Sequence, residues 1–353
     1  MKSVLNRLAI VSLFFYVLSV AHAQNGTWSP DSLSMANPNF RMERYHDVLR
    51  HHDPIMYLAF PVITPLDDRR VNLRNGEGKE GYLGEGSLAY RFVIYKGKYY
   101  SFPFFQRLRG TFDVELTTRL TNDDSAPLLP LNNKIGLGVD YLFTPLRNLV
   151  QENPTMVWTT LQLHHYSNGQ ADSFFIPGAV RRNNYASGDF STNYYRALLN
   201  LAFNVRQKSI MTTSFGYQHD VDLGGPLSRS RELYNYYGDD RLLFRFQVTR
   251  KPRLVTANVR NRFTAEQDTV KVEVRRQVMF RTELEYILGD MPLYPGDSKH
   301  RVGWHNYLTY MPSLTNEVGF MLHTFIGRDY LNIRFDDYVF IGEVGLYVKF
   351  NSR

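Results

Sequence analysis

The sequence predicts an all-β protein, a transmembrane antiparallel β-barrel of about twelve strands. Two observations carry this. From about residue 86 onward, long runs alternate apolar and polar residues with a period of two. The polar faces of those runs are charged throughout, so they do not form a second buried layer. A closed barrel satisfies both faces, with apolar residues toward lipid, charged residues toward a lumen and no open sheet edge.

Composition agrees. The chain of 353 residues contains 24 Tyr and 24 Phe, a high aromatic content suited to the interfacial girdles of a membrane barrel. It has no cysteine, so an exported fold must hold together without disulfides. The net charge is +7, spread along the strands rather than gathered in a basic block. Together with export, this argues against nucleic acid as a partner.

The elements follow in order. Residues 1–23 read as a secretory signal peptide: Lys2 and Arg7 precede an apolar stretch from Leu8 to Val20, and Ala21-His22-Ala23 has the form of a cleavage site. Residues 24–53 read as an N-terminal periplasmic arm, and residues 54–353 as the outer-membrane barrel. His46, His51 and His52 in the arm are expected to be solvated, because no cysteine or close carboxylate accompanies them as metal ligands. Gly76-Glu77-Gly78-Lys79-Glu80-Gly81 matches a nucleotide-binding pattern, but no helical pattern follows and its two glutamates would repel a pyrophosphate. It is read as a loop.

Strands are expected over Arg241–Arg250, Val270–Ile287, Glu317–Ile326 and Tyr338–Phe350, each with apolar residues on alternate positions. In the last run, Tyr338, Phe340, Val344, Leu346, Val348 and Phe350 share a face. Its terminal aromatic resembles the C-terminal strand signal of outer-membrane barrels.

Chemistry enters at Met156–Ser167. Val157, Leu161, Leu163, His165 and Ser167 fall on one face, and Trp158, Thr160, Gln162, His164 and Tyr166 on the other. The leucine face is the lipid face. Parity therefore puts His165 and Ser167 outside and His164 in the lumen. On the next strand, which begins near Ser191, Asn193 shares the apolar face with Tyr195, Leu199 and Phe203. Three polar residues thus gather on a surface where polarity is costly. Residues i and i+2 of a strand are about 6.8 Å apart at the backbone, within reach of an imidazole and a hydroxymethyl group. Ser167 is the candidate nucleophile, His165 the general base and Asn193 the residue that orients the ring. An amide beside hydrocarbon carries a smaller desolvation cost than a carboxylate. The plain alternative is that these residues reach the headgroup zone and that Ser-Asn-Gly forms an ordinary turn.

His165-Tyr166-Ser167-Asn168-Gly169 resembles the H-x-S-N-G motif of the outer-membrane phospholipase A family, and Ser191-Thr192-Asn193-Tyr194-Tyr195-Arg196 is similar to the segment that carries its asparagine. The resemblance implies a twelve-stranded barrel in the bacterial outer membrane that hydrolyses acyl esters of membrane phospholipids with a Ser-His-Asn triad. It further implies that the Gly169 backbone N–H serves the oxyanion, that the Gln170 backbone carbonyl binds calcium, and that a homodimer completes the site. The chain departs from the family in two ways: Gln170 stands where the family has arginine, and the loop between His165 and Asn193 is longer. Two other readings stand beside it. One is a lipid A deacylase, a smaller barrel with a similar H-x-S pair but a glutamate as third member. The other is a non-enzymatic channel or structural barrel.

Overall fold

The structure, a computed structural model, describes residues 48–49, 53–66, 82–97, 102–121, 128–145, 155–177, 183–185, 187–205, 209–250, 253–260, 267–274, 277–294, 298–312 and 318–348. The signal-peptide reading, nearly all of the arm, the Gly-rich stretch at 76–81 and Phe350 lie outside these residues.

Fourteen strands are described, in chain order β1 Met56–Pro65, β2 Tyr82–Lys96, β3 Leu108–Thr121, β4 Asn132–Leu142, β5 Met156–Ser167, β6 Ser191–Val205, β7 Ser209–Val221, β8 Asp240–Arg250, β9 Arg253–Arg260, β10 Gln267–Val274, β11 Gln277–Ile287, β12 Val302–Met311, β13 Val318–Arg328 and β14 Tyr338–Val348. Twelve of them close into one antiparallel barrel in the order β1-β14-β13-β12-β11-β8-β7-β6-β5-β4-β3-β2. Closure is made by β1 against β14, from Met56↔Val348 to Pro65↔Val339. No strand of the barrel is left with an unpaired edge, the condition for crossing a hydrocarbon layer with strands.

One expectation is corrected. The alternation over Val270–Ile287 predicts a single strand, whereas the chain divides it into β10 and β11. β10 pairs only with β9, in a separate two-stranded sheet, while β11 joins β8 in the barrel. A period of two is common to lipid-facing strands and to any other amphipathic hairpin, so periodicity does not tell them apart.

The two faces separate as parity requires. Leu58, Phe60 and Val62 of β1, Phe320 and Leu322 of β13, and Phe340, Val344 and Leu346 of β14 are exposed on the outer surface. Their neighbours Tyr57, Ala59, Met321, His323, Ile341 and Glu343 are buried inside. With an even strand number and this outward apolar band, the chain is a bacterial outer-membrane β-barrel. The long β5–β6 and β7–β8 connections lie at the end opposite the β1 and β14 termini, which is the extracellular end of such barrels.

The lumen is filled. Arg119 donates from Nε to Glu85 Oε2 at 2.5 Å and from Nη1 to Asp329 Oδ2 at 2.5 Å, all three fully or nearly fully buried. Arg91 forks onto Asp113 at 2.7 and 2.9 Å, and Arg109 and Arg241 pair with Asp140 and Asp220. Paired charges of this kind avoid the large cost of an isolated buried ion. A cavity of about 290 Å³ remains, lined in part by Lys134, Arg196, Arg281, Glu115 and Glu283. At the extracellular mouth, Phe174, Tyr185 and Phe190 of the β5–β6 loop pack with Tyr166, Tyr194, Leu233, Ile333 and Phe335. At the other end, Leu49 is buried against Leu142, Met156, Trp158 and Ala202, and the Asp53 carbonyl accepts from Arg281 at 3.1 Å.

Candidate active site

β5 and β6 pair in full register from Met156↔Ala202 to Ser167↔Ser191, and this sets His165 directly opposite Asn193. Directly opposed residues of an antiparallel pair are close enough for side chains to meet. Here they do: His165 Nδ1 lies 2.9 Å from Asn193 Oδ1. Ser167, on the same face, ends β5 between Asn133 of β4 and Ser191 of β6.

The asparagine's orientation is fixed from behind. Its Nδ2 donates to the Leu227 carbonyl at 2.6 Å and the Val221 carbonyl at 3.5 Å. An amide nitrogen facing two carbonyls leaves Oδ1 for the imidazole. Because Oδ1 only accepts, His165 must donate from Nδ1, and the lone pair falls on Nε2. This is the tautomer a general base needs.

The β7–β8 loop supplies that orientation. Asp222 Oδ1 accepts from the backbone N–H groups of Gly224 and Arg229 at 2.8 and 3.1 Å, which shapes the turn holding Leu227. Ser230 Oγ accepts from the Ser191 N–H at 2.7 Å and donates to Asp189 Oδ2 at 2.6 Å, and the Ser191 hydroxyl donates to the Ser228 carbonyl at 2.9 Å. The loop covers Asn193, which is 0% exposed although it belongs to the outer face. The triad candidates thus sit beside lipid with the orienting amide shielded from it.

Asn168 organises the opposite side. It is buried, and its Oδ1 accepts from the N–H groups of Phe190 and Gln170 at 3.0 and 3.2 Å, while Nδ2 donates to the Gly188 carbonyl at 2.7 Å. One side chain therefore staples both ends of the long loop. Next to it, Gly169 takes φ +68°, a left-handed conformation that glycine adopts without strain. Its N–H makes no hydrogen bond among the described residues. The same holds between Ser167 Oγ and His165, a contact that in serine hydrolases often tightens only around substrate.

His164 points inward. Its Nδ1 lies 2.8 Å from the Tyr194 hydroxyl and its Nε2 3.3 Å from Asp113. Gly136, its partner on β4, leaves it room, since a Cβ there would fall 1.9 Å from His164 Cδ2.

Calcium in the same region would need a set of oxygen donors. Gln170 offers one backbone carbonyl, and among the described residues no group of three or more His, Cys, Asp or Glu side chains is placed to hold a metal ion. Calcium takes six to eight oxygen ligands. The described donors do not make such a site within one chain.

Sequence reading missed Asn168 as a staple, Asp222 and Ser230 as shapers of the loop, and the Leu227 carbonyl as the asparagine's acceptor. Only Asn168 carried a signal, its place in the motif. Asp222, two residues before Gly224, is a local Asx turn, whereas Leu227 and Ser230 act across sequence distances that no local pattern spans.

No protein-family model matches the chain, and no curated protein does. Among solved structures, the outer membrane phospholipase A from Escherichia coli is 12% identical, with 84% of this chain and 92% of that chain covered, at a TM-score of 0.46. The Salmonella typhi outer membrane phospholipase, a dimer with bound calcium, is 12% identical over 84% and 90% at a TM-score of 0.47. The NanC porin is 10% identical over 84% and 100% at a TM-score of 0.41.

Proposed function

We infer that this barrel is an outer-membrane phospholipase that hydrolyses acyl esters of glycerophospholipids at its lipid-facing surface. The observation that carries the reading is the bond of 2.9 Å from His165 Nδ1 to Asn193 Oδ1, two residues from Ser167 on a face otherwise given to lipid. A hydrogen-bonded His–Asn pair beside a serine, shielded from behind and open to lipid, is arranged to act on a membrane-embedded ester.

The steps follow from these groups. Ser167 Oγ attacks the ester carbonyl carbon while His165 Nε2 takes its proton. The carbonyl oxygen becomes an oxyanion within reach of the Gly169 N–H. Collapse breaks the bond to the lysophospholipid oxygen, which takes the proton from His165. Water then attacks the acyl-serine, passing a proton back through His165, and releases the fatty acid with Ser167 restored. Asn193 holds the imidazolium by a neutral amide, so its electrostatic help is smaller than a carboxylate's.

The filled lumen favours an enzyme over a channel, because the Arg119 ion pairs and the aromatic cap occupy the path a solute would take. Asn193, where a lipid A deacylase would be expected to carry glutamate, favours glycerophospholipid over lipopolysaccharide. Calcium through the Gln170 carbonyl and activation as a homodimer belong to this reading through its motif alone.

The test is fatty-acid release from phospholipid micelles by purified protein, with and without a calcium chelator, beside Ser167→Ala. Release is expected from the native chain and not from Ser167→Ala. Equal release from both would overturn the assignment.

A further inference from the structure

A second polar cluster occupies the lipid-facing surface beside the candidate triad. Tyr195 of β6, Tyr217 and His219 of β7 and Asp240 of β8 share the outer face, with Tyr195 opposite His219 and His219 opposite Asp240. His219 Nδ1 lies 2.8 Å from Asp240 Oδ1, and the Tyr217 hydroxyl also hydrogen-bonds to that carboxylate. The His219 ring lies parallel to Tyr217, with an interplanar angle of 11° and centroids 6.5 Å apart, and meets Tyr195 at 5.3 Å. The group is open outward: Tyr195 is 44% exposed, and the side chains of His219 and Asp240 are each 33% exposed.

The cluster sits at headgroup height. Asp240 is the first residue of β8, His219 is two from the end of β7, and Ser167 is the last of β5, all at the extracellular rim. From His165 to His219 the sheet runs two strands across and two residues along, roughly 12 Å between backbones. That is comparable to the reach of a phospholipid from its acyl ester to the end of its headgroup.

Interfacial tyrosines alone are ordinary anchors of a membrane barrel. An outward carboxylate is not, since it carries a desolvation cost on the lipid face. The cluster's chemistry names what would repay it. The Asp240 carboxylate only accepts hydrogen bonds. With Nδ1–H given to Asp240, Nε2 of a neutral His219 ring would be a further acceptor. Two tyrosine rings present their negative faces nearby. Acceptors, a negative charge and aromatic faces together suit a cation that carries N–H donors, and they repel an anionic headgroup.

We propose that Tyr195, Tyr217, His219 and Asp240 form a binding site for the primary ammonium of an ethanolamine phospholipid, and that this site selects the lipid presented to Ser167. For turnover it rests on the esterase reading above; as a binding site it stands apart from it.

The experiment uses the full-length barrel carrying Ser167→Ala, equilibrated with bilayer discs containing equal parts of phosphatidylethanolamine, phosphatidylcholine and phosphatidylglycerol. Retained lipids are counted by native mass spectrometry. Phosphatidylethanolamine is expected to be enriched about tenfold over phosphatidylglycerol, with phosphatidylcholine between them. Adding Asp240→Asn, or separately Tyr195→Leu, is expected to abolish the enrichment, with the barrel's heat-modifiable gel mobility reporting that each variant is folded. Equal retention of the three lipids, or enrichment that survives both substitutions, would overturn the site. On the chain with Ser167 intact, the ratio of kcat/KM for the ethanolamine over the glycerol lipid is expected to be about tenfold, and to collapse in both variants mainly through KM. Enrichment without any hydrolysis would overturn the esterase and keep the ammonium site. Hydrolysis without enrichment would do the reverse.

Discussion

His165 and Asn193 are register partners on neighbouring strands, and their side chains meet at 2.9 Å on the outer face of the barrel. The contact has a defined polarity, because the asparagine's nitrogen is already given to the Leu227 carbonyl at 2.6 Å. The direction of one amide, set by a backbone carbonyl from the β7–β8 loop, thereby decides which imidazole nitrogen is basic.

Replacing that amide tests the chain of reasoning. Asn193→Ala removes the acceptor for His165 Nδ1–H and frees the ring to rotate or change tautomer. Fatty-acid release at saturating substrate should fall by about 100-fold, the low end for loss of general base function. Asn193→Asp should not restore the rate. Its second oxygen would face the Leu227 carbonyl with no proton between them, so the carboxylate is turned away from the geometry the amide holds. Initial rates on micellar phospholipid, normalised to folded protein, check both.

The adjacent histidines should separate cleanly. His165→Ala should lower release by about 10²- to 10⁴-fold, the range for a general acid–base group. His164→Ala should leave the rate per folded molecule unchanged and weaken the barrel instead. It strips partners from the buried Tyr194 hydroxyl and Asp113, a loss of about 1–3 kcal/mol. Urea unfolding in micelles, read beside the release assay, distinguishes the two.

That separation was legible in the sequence, because a two-residue period assigns every side chain of a strand to one of two faces. The barrel, its approximate strand number and the shared face of His165, Ser167 and Asn193 came from the same rule. What lay beyond it has a physical reason in each case. The β9–β10 hairpin alternates like the barrel strands but pairs only with itself. The clamp on Asn193 uses backbone carbonyls, which every residue carries, so no side-chain pattern marks it. His219 and Asp240 lie 21 residues apart on different strands, and only the register β7 adopts against β8 brings them opposite each other.

Gly169 isolates the role of backbone conformation. At φ +68° an alanine is strained by about 1–2 kcal/mol. Its Cβ would meet nothing nearer than Asn133 Nδ2 at 3.8 Å, so sterics add little. Gly169→Ala should therefore fold, relax its backbone and turn the N–H away from the position an oxyanion takes. Release should fall by about 10²- to 10³-fold through kcat, the usual cost of losing one oxyanion donor. Loss through KM alone would place that donor elsewhere.

Asp189 should make the stability of the long loop depend on pH. Burial raises its pKa, opposed by the Ser230 hydroxyl bond; Glu232 raises it further and His165 lowers it. In the unfolded chain the group returns to the ordinary aspartate range near 3.9. The folded loop therefore binds the proton more tightly than the unfolded one. Its contribution is full below the ordinary range and declines as pH rises through the raised value. Asp189→Asn is neutral throughout and should lack the decline. Hydrogen exchange at the Asp189 and Phe190 amides, which donate to the Asp172 carbonyl at 2.6 Å and to Asn168 Oδ1 at 3.0 Å, reads this directly. After correction for intrinsic rates, protection of the native loop should fall as pH rises from the ordinary aspartate range through the raised value, and protection of Asp189→Asn should stay level. A parallel fall in both would assign the effect to another group.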